Sequence, residues 1–402
     1  MSRVLQEAVI VDSVRTPIGK YGGVLSSVRP DDLAALMIKS LVERNHIDPN
    51  QIEDVYFGDG NQAGEDNRNI ARMALLLAGL PVKVAGATVN RLCGSGLEAI
   101  NQAAHAIMVG NGGIYIAGGV ESMSRAPFAI PKGEKAFSRQ TEIYDTTLGW
   151  RFLNPVLKEM YYPYSMGETA ENLATKYSIA REDQDQFALR SHQRAVRATD
   201  EGTFKEEIVP VPILESSGKQ LLVDRDEGPR KDTSLEKLAA LKPAFRKGGT
   251  VTAGNSSGVN DGAAAVLIMN EKKAKNLGLT SKARIVSTAV AGVPPKYMGL
   301  GPVPATRKAL RRARISLDQI NAVEINEAFA AQVLSCLKFL DFDNGRMNVN
   351  GGAIALGHPI GCSGARIMTT LLHEMDRKKV ERGLATACIG VGQGIATIVE
   401  RA

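Results

Sequence analysis

The stretch Asn350-Gly351-Gly352-Ala353-Ile354-Ala355-Leu356-Gly357-His358-Pro359-Ile360-Gly361-Cys362-Ser363-Gly364 holds one histidine in a loop dense in glycine. Proline fixes its own φ angle and restricts the residue before it, so His358 is held more rigidly than an ordinary surface histidine. A fixed imidazole suits general-base chemistry. The alternative is a structural histidine whose ring nitrogens are hydrogen-bonded. The neighbouring motifs must decide between the two.

A second glycine-rich stretch places a cysteine just before a helix. Asn90-Arg91-Leu92-Cys93-Gly94-Ser95-Gly96-Leu97 lies between a strand pattern and an amphipathic helix pattern. Unpaired N–H groups at a helix N-terminus favour thiolate, so we expect a lowered pKa for Cys93 and a stronger nucleophile. A lone cysteine is more often a small buried hydrophobe. Together with His358, however, Cys93 would form a nucleophile and base pair.

Two further motifs lie at predicted strand ends. Ala387-Cys388-Ile389-Gly390-Val391-Gly392-Gln393-Gly394 offers a second cysteine for proton exchange and, at Gly390, a backbone N–H for an oxyanion. Glu324-Ile325-Asn326-Glu327-Ala328-Phe329-Ala330 adds a polar pair. Taken alone, Cys388 is typical of a core thiol, and Asn326 and Glu327 are typical of helix capping.

The elements around these motifs alternate between strands and helices. Ala8-Val9-Ile10-Val11 is a strand pattern, and residues 31–44 follow a helical period, which is typical of α/β proteins. A strand, a glycine-rich turn, a long helix and a second strand ending in glycines recur in 89–119 and in 349–394. The repeat predicts a duplicated domain. Residues 123–259 lack this regularity and predict an inserted, substrate-binding lobe.

Composition limits the function classes. A chain of 402 residues exceeds an ordinary single core, and 44% hydrophobic with 23% charged residues is typical of a globular protein. The net charge of +6 is spread along the chain, which favours a small anionic substrate over nucleic acid. The four cysteines form no CxxC pair, so we expect free thiols in a reducing compartment.

Hydropathy favours a cytoplasmic protein without membrane insertion. No apolar run approaches the ~20 residues of a membrane helix. The first residues of the chain have the pattern of neither a secretory signal nor a transit peptide.

Together, the cysteine loop at 93, the NEAF segment at 326, the run at 350–364 and the CxGxGxG loop at 388 resemble thiolases over nearly the whole chain. The resemblance implies an α/β thiolase fold with a duplicated five-layer αβαβα core and an inserted loop domain. The first half would be 1–122 plus 260–281, the inserted CoA-binding domain 123–259, and the second half 282–402. A homo-oligomer, either dimer or tetramer, is also implied.

The resemblance further implies the roles of five residues. Cys93 would accept the acyl group, His358 would activate Cys93, and Cys388 would exchange a proton with the methyl carbon of acetyl-CoA. The reaction would be a ping-pong acyl transfer between a 3-oxoacyl-CoA and CoA, that is, reversible thiolysis and Claisen condensation. His358 with a water held by Asn326 would form one oxyanion site. The backbone N–H groups of Cys93 and Gly390 would form the other.

Coenzyme A and acetyl-CoA would be substrates, with no permanently bound cofactor and no metal. The residues that thiolases place along the CoA channel correspond here to Met166, Arg230, Leu241, Ala253, Ser257, Met298 and Phe329. Ser257 would lie against the pantetheine arm. Arg230 would contact phosphate or adenine, although an exposed arginine in a charged loop is commonly only solvated.

Three stretches resemble the thiolases of aromatic degradation that cleave 3-oxoadipyl-CoA: Gly64-Glu65-Asp66-Asn67-Arg68-Asn69, Glu121-Ser122-Met123-Ser124-Arg125-Ala126-Pro127 and Asp145-Thr146-Thr147-Leu148-Gly149-Trp150-Arg151-Phe152. Ser165 stands where thiolases dedicated to acetoacetyl-CoA commonly carry histidine. A polar acyl tail would suit this subgroup. Shared subunit-interface structure is the other explanation of these stretches, and fatty acid β-oxidation is the other metabolic setting.

Three alternatives remain open at this point. A catalytically silent carrier with the same fold would be expected to lose Cys93, His358 or Cys388, and none is lost. A Cys-His hydrolase would not need Cys388. Binding to nucleic acid rests only on net charge and would be steeply salt-dependent.

Overall fold

The computed structural model describes residues 5–133, 135–214, 218–343 and 345–402. The first part of the chain contains five strands and three helices: β1 (Ala8–Arg15), β2 (Gly19–Lys20), α1 (Pro30–Arg44), β3 (Asp54–Gly58), α2 (Ile70–Leu77), β4 (Ala85–Val89), α3 (Ser95–Met108) and β5 (Ile114–Ser122). Strands and helices alternate as the sequence predicts.

A long segment then leaves the main sheet before the chain returns to it at β10. This inserted segment contains β6 (Phe128–Ala129), β7 (Tyr144–Asp145), α4 (Pro155–Met160), α5 (Met166–Tyr177), α6 (Arg181–Asp200), β8 (Val211–Leu214), β9 (Gln220–Val223) and α7 (Leu235–Ala239). Its short strands pair only with each other, β6 with β7 and β8 with β9.

The rest of the chain repeats the pattern of the first part. It contains β10 (Asn260–Asn270), α8 (Glu271–Asn276), β11 (Ala283–Gly292), α9 (Pro302–Ala313), β12 (Ala322–Ile325), α10 (Ala330–Leu337), α11 (Ala353–Leu356), α12 (Ile360–Lys378), β13 (Arg382–Ile389) and β14 (Gln393–Arg401).

The strand order shows the duplication. The main sheet runs β12-β13-β14-β11-β1-β10-β5-β3-β4, with β2 paired to β10. β1 and β11 meet through only two residue pairs, Val9 with Arg284 and Ile10 with Ala283. Outward from this seam, each half has antiparallel strands first and then a parallel pair, β5 with β3 or β13 with β12. The predicted duplication is therefore confirmed.

The helices and the two halves of the sheet form five layers, which are held together by three hydrophobic clusters. The first lies between α1, α2 and the first-half strands, and the third lies between α9, α10 and the second-half strands. The middle cluster holds α3 and α12 between the two halves of the sheet. Successive residues of a strand point to opposite faces, so Val9 joins the first cluster and Ile10 the middle one. The predicted αβαβα core is confirmed.

The two central helices touch through glycines. A Cβ atom on Gly96 of α3 would lie 2.8 Å from the carbonyl oxygen of Gly361 and 2.8 Å from the amide nitrogen of Ala365, both on α12. A Cβ on Gly364 would lie closer still to the amide nitrogen of Leu97. Only glycine allows two helix backbones to approach this closely. The contact brings the start of α3 against the start of α12.

We predict that Gly364→Ala will separate these helices and lower the free energy of unfolding by about 1–3 kcal/mol, because the added methyl group meets the backbone and the Cβ of Leu97, which cannot rotate away. Thermal denaturation would measure the change. Gly113→Ala is the matched control, since its Cβ would find nothing nearer than Lys273 Cγ at 3.7 Å. Equal melting temperatures for the two variants would contradict the prediction.

Candidate active site

Cys93 lies in a 3-10 turn (Leu92–Gly94) immediately before α3. Leu92 has a φ of 47°, a left-handed conformation that costs a residue with a side chain about 1–2 kcal/mol. Hydrogen bonds hold the turn in place: the Ser95 hydroxyl donates to the Leu92 carbonyl at 2.6 Å and accepts the Arg91 N–H at 2.8 Å. The Leu92 N–H donates to Asn90 Oδ1 at 2.9 Å. The cysteine is thus presented on a rigid turn.

The charge state of Cys93 differs from the expectation. Burial raises the pKa of the Cys93 thiol, and this effect outweighs the backbone N–H groups of Gly390 and of Cys93 itself, which lower it. The prediction of a lowered pKa is therefore wrong, because loss of hydration is a stronger effect here than the helix N-terminus. At neutral pH this thiol keeps its proton until a base removes it.

Cys388, near the end of β13, lies close enough to Cys93 for their charges to interact. Burial and the neighbouring Cys93 raise the pKa of Cys388 well above the usual thiol value. Its side chain is 1% exposed. Cys388 is therefore a weak acid that holds its proton firmly in an apolar site.

Hydrogen bonds fix the ring of His358. The Ser363 hydroxyl donates to the Pro359 carbonyl at 2.8 Å, so it must accept from His358 Nδ1 at 2.6 Å. This assignment puts the ring proton on Nδ1 and leaves Nε2 as a lone-pair acceptor. The His358 backbone N–H donates to Asn260 Oδ1 at 3.0 Å. Burial, then the charge of Arg366, lower the pKa of His358 to about 4, so the ring is neutral at physiological pH.

Asn326 follows β12 and faces the same imidazole. Its Nδ2 lies 3.4 Å from His358 Nε2. Its buried Oδ1 has no hydrogen-bond partner among the residues that the structure describes. β12 and β13 run parallel, so Asn326, just after β12, and Cys388, near the end of β13, lie at the same end of the sheet. The structure therefore brings Asn326, His358, Cys388 and Cys93 to one end of the core.

Neither Asn326 nor Glu327 is the N-cap of α10, the helix that follows them. The N-cap of α10 is Phe329, without a side-chain hydrogen bond. Glu327 instead accepts the Ser191 hydroxyl at 2.6 Å and the Asn348 amide at 2.8 Å. Glu327 also accepts the N–H of Ile354 in the first turn of α11 at 3.3 Å. It thereby ties the inserted α6 to the second half and helps to cap α11, so the capping interpretation is wrong only for the helix that follows the pair.

Three of the predicted CoA-channel residues form an apolar wall beside the cysteines. Met166, Met298 and Phe329 share one hydrophobic cluster with Cys388. A Cβ on Gly390 would lie 3.4 Å from the sulfur of Met166. Met166 begins α5, where Ser165 forms a capping box with Glu168. Ser165 therefore has a structural role at the helix start.

Ser257, Leu241 and Ala253 continue from this wall toward the surface. The Ser257 N–H donates to the Ala328 carbonyl at 3.0 Å, next to Phe329. Leu241 packs against Gly254, so it lies beside the exposed Ala253. These residues form a rim that is continuous with the apolar wall.

Arg230 lies in the loop between β9 and α7. Its side chain is exposed, and its backbone N–H donates to His192 Nδ1 on α6 at 3.3 Å. Burial, then the Arg230 charge, lower the pKa of His192 to about 4. The structure leaves Arg230 at the protein surface, where an anionic group could reach it.

Sequence reasoning missed the residues that hold the His358 loop. Glu121 accepts the backbone N–H groups of Gly361 at 2.7 Å, Gly60 at 2.9 Å and Asn61 at 3.1 Å, and so joins the start of α12 to the first half. Asn260 is 98 positions from His358, and no local pattern connects them. Ser363, by contrast, lies inside the glycine-histidine run and could have been found there.

Within the described ranges, no group of three or more His, Cys, Asp or Glu side chains is arranged to bind a metal ion. None of the helices in these ranges has the length and apolar character needed to cross a bilayer.

Comparisons with known proteins cover almost the whole chain. Residues 8–272 match the family model of the thiolase N-terminal domain, and residues 279–401 match that of the thiolase C-terminal domain. The 3-oxoadipyl-CoA/3-oxo-5,6-dehydrosuberyl-CoA thiolase of Escherichia coli is 56% identical over 400 residues, 99% of this chain and 100% of the relative. The β-ketoadipyl-CoA thiolase of Pseudomonas aeruginosa is 55% identical over 399 residues, 98% of this chain and 99% of the relative.

A solved structure agrees in fold. The crystal structure of the Bacillus anthracis acetyl-CoA acetyltransferase superposes with a TM-score of 0.94 at 45% identity and covers 100% of both chains. Fold, motifs and full-length similarity agree: the chain belongs to the thiolase family and is an acyltransferase.

Proposed function

We propose that this thiolase cleaves 3-oxoacyl-CoA thioesters whose acyl chain ends in a carboxylate, with 3-oxoadipyl-CoA as the representative substrate. The observation that carries the proposal is the full-length similarity, at 56% and 55% identity, to two relatives named for that substrate. The capping role of Ser165, at the position where acetoacetyl-CoA thiolases commonly carry histidine, supports the same substrate class.

The proposed first half-reaction uses the neutral Cys93 and His358 pair. His358 Nε2 takes the Cys93 proton, and the thiolate sulfur attacks the C3 carbonyl of the substrate. The C2–C3 bond then breaks, leaving the acyl group on Cys93. An imidazole that is unprotonated at neutral pH supports the base role, and the fixed Nδ1 proton supports Nε2 as the acceptor.

Cys388 completes this half-reaction. When the C2–C3 bond breaks, C2 carries the electron pair of the leaving acetyl-CoA enolate, and Cys388 donates the proton that converts it to acetyl-CoA. A thiol with a raised pKa inside an apolar cluster is suited to exchange a proton with a weak carbon acid. The proton that His358 took from Cys93 then passes to the Cys388 thiolate, which restores both groups. In the second half-reaction His358 takes the thiol proton of CoA as the CoA sulfur attacks the acyl thioester, and it passes that proton to Cys93 as the shortened acyl-CoA leaves.

Two groups of donors are proposed to stabilise the oxyanions. The N–H groups of Cys93 and Gly390, which lie against the Cys93 sulfur, would face the oxyanion of the acyl-enzyme step. The unpartnered Oδ1 of Asn326 supports a water held between Asn326 and the enolate oxygen, with His358 as the second donor. Each donor of this kind contributes a few kcal/mol of transition-state stabilisation.

CoA is proposed to enter along the wall formed by Met166, Met298 and Phe329, with Ser257, Ala253 and Leu241 at its rim and Arg230 near the phosphates. We also propose a homo-oligomer, dimer or tetramer, in the cytoplasm. β4 supports the oligomer, because it ends the sheet and an edge strand is usually covered. Four free cysteines support a reducing compartment.

The runner-up is an acetoacetyl-CoA thiolase, favoured by the likeness to the Bacillus anthracis acetyltransferase. A role in fatty acid β-oxidation would instead require a preference for an unbranched medium-length chain. Both alternatives differ from the proposal in the acyl tail alone.

We expect kcat/KM for thiolysis of 3-oxoadipyl-CoA to exceed the values for acetoacetyl-CoA and a medium-chain 3-oxoacyl-CoA by roughly tenfold or more. Cys93→Ala should lose roughly a thousandfold or more with every substrate. Cys336→Ala removes a buried thiol of α10 and is the control that should retain turnover. Turnover that survives in Cys93→Ala would overturn the nucleophile, and a preference for either other substrate would overturn the acyl tail.

We expect Cys388→Ala to separate the two half-reactions. Exchange of labelled CoA into acetyl-CoA needs only Cys93 and His358 and should continue, whereas cleavage of the C2–C3 bond should fall by roughly a hundredfold or more. Equal loss of both activities would mean that Cys388 only supports the fold. Unchanged cleavage would favour the Cys-His hydrolase.

The raised pKa of Cys93 predicts how its alkylation depends on pH. We expect the rate of modification by iodoacetamide to rise through pH 8 without a plateau, because the thiol stays protonated at neutral pH. Peptide mapping would assign the adduct to Cys93, with Cys93→Ala as the control. A rate that is already constant between about pH 6 and pH 8 would indicate a thiolate–imidazolium pair and contradict the neutral pair.

A further inference from the structure

The three stretches that resemble the 3-oxoadipyl-CoA subgroup are far apart in sequence but meet in the structure. A Cβ on Gly64 would lie 3.0 Å from Pro127 Cδ, which joins the first stretch to the second. The Thr146 N–H donates to the Pro127 carbonyl at 3.3 Å, which joins the second to the third. Arg125 and Glu65 add an ion pair between the first two. The subgroup features therefore form one structural unit.

This unit borders a cavity of about 580 Å³. The cavity is lined by the loop at 60–64 and by the side chains of Asn61, Gln62, Asn67, Arg68, Asn90 and Arg151. Arg68 comes from the first of the three stretches and Arg151 from the third. Polar and apolar surface line the cavity in similar amounts, and both of its charged side chains are arginines.

The guanidinium of Arg151 has only neutral partners in the described part of the chain. Its N–H groups donate weakly to the Thr146 carbonyl at 3.5 Å and to Asn61 Oδ1 at 3.4 Å. The side-chain amide of Asn61 in turn donates from Nδ2 to the Thr146 hydroxyl at 2.9 Å. Neighbouring arginines are neutralised, as in the ion pair of Arg29 with Asp31 at 2.8 Å. Arg151 therefore presents an uncompensated positive charge at the cavity.

The negative groups behind the cavity do not cancel this charge. Burial, then the charge of Glu121, raise the pKa of Asp59 to about 11, so this carboxyl is uncharged at neutral pH. The Glu121 carboxylate is occupied by three backbone N–H groups. Burial, then Glu121, raise the pKa of Asp66 to about 7. At neutral pH Asp59 therefore adds no negative charge beside the arginines, and Asp66 is only partly ionised.

One side of the cavity leads to the Cys93 turn. Asn90 lines the cavity, donates to the Gly60 carbonyl at 3.1 Å, and accepts the N–H of Leu92 at 2.9 Å. Leu92 directly precedes Cys93. The cavity is thus one side chain away from the turn that carries the nucleophile.

The other side of the cavity leads to the wall of the same site. Trp150, next to Arg151, donates its indole N–H to the Tyr164 carbonyl at 3.0 Å. Two residues later, Met166 packs against Gly390, whose N–H faces the Cys93 sulfur. The cavity therefore lies between the turn that carries Cys93 and a segment that leads to Met166, which packs against Gly390.

We propose that Arg151, with Arg68 as a second positive charge at the rim, binds the terminal carboxylate of the acyl chain and selects 3-oxoacyl chains that end in an anion. The inference rests on the proposed function and names the residue responsible for it. A planar guanidinium with unused N–H groups can bind a carboxylate through two parallel hydrogen bonds. Asn61 and Thr146 hold the back of the guanidinium and leave its remaining N–H groups for the substrate.

Two substrates of equal chain length test this role. 3-Oxohexanoyl-CoA carries a methyl group where 3-oxoadipyl-CoA carries its terminal carboxylate. For Arg151→Gln we expect kcat/KM for 3-oxoadipyl-CoA to fall by about 10- to 100-fold, and the value for 3-oxohexanoyl-CoA to stay within about threefold of wild type. Arg151→Lys should recover part of the loss. Arg139→Gln removes an exposed charge from the same inserted segment and is the matched control.

Any other result for Arg151→Gln would contradict the proposed role. An equal fall with both substrates would show that Arg151 supports the loop or binds the CoA phosphates, and no change with either would show that the carboxylate lies elsewhere. Both results overturn the role of Arg151 and leave the substrate assignment standing. If the wild-type enzyme itself does not prefer 3-oxoadipyl-CoA to 3-oxohexanoyl-CoA, the proposed function fails, and the inference fails with it.

Discussion

The backbone contact between α3 and α12 is the constraint on which the active site depends. Cys93 precedes α3 in the first half, and His358 precedes α12 in the second half. Strand pairing contributes little to holding these two loops together, since β1 and β11 share only two residue pairs in the described part of the chain. The glycines at 96, 361 and 364 let the helix ends touch, and Glu121 then fixes the start of α12 by hydrogen bonds. Duplication alone would not produce a site, because each half carries only part of the chemistry.

Desolvation sets the charge states in this site. The same burial that raises the pKa values of Cys93 and Cys388 lowers that of His358, so each group is held in its neutral form. Neutral groups avoid the free-energy cost of a buried charge before substrate arrives. Charge then develops only as the proton moves, beside backbone N–H groups that are already oriented. A cysteine that becomes a thiolate only when His358 takes its proton suits a buried site, because the same burial keeps water away from the thioester of the acyl-enzyme.

The sequence predicted the core well, since glycine spacing and strand–helix alternation are local properties, and the structure brings the residues predicted to react to one end of that core. It failed where the outcome depended on contacts across the fold. The pKa of Cys93 depends on how many atoms surround it, and the tautomer of His358 depends on Pro359 and Ser363 acting together. Asn260 and Glu121 act on the His358 loop from remote positions. The partners of Glu327 could not be found from local sequence, because Ser191, Asn348 and Ile354 lie on other elements.

The proposed catalytic residues and the proposed carboxylate-binding arginine lie on different parts of the chain. The reacting residues lie at the ends of strands and helices of the duplicated core, where packing leaves little freedom to move. Arg151, Trp150 and Met166 belong to the inserted segment, whose short strands pair only among themselves. The insertion can therefore change shape or charge without disturbing the helix contact that aligns Cys93 with His358. A carboxylate-binding arginine in this segment would alter which acyl chain is accepted while leaving the bond-breaking step intact, because Arg151 and the catalytic residues lie on different parts of the fold.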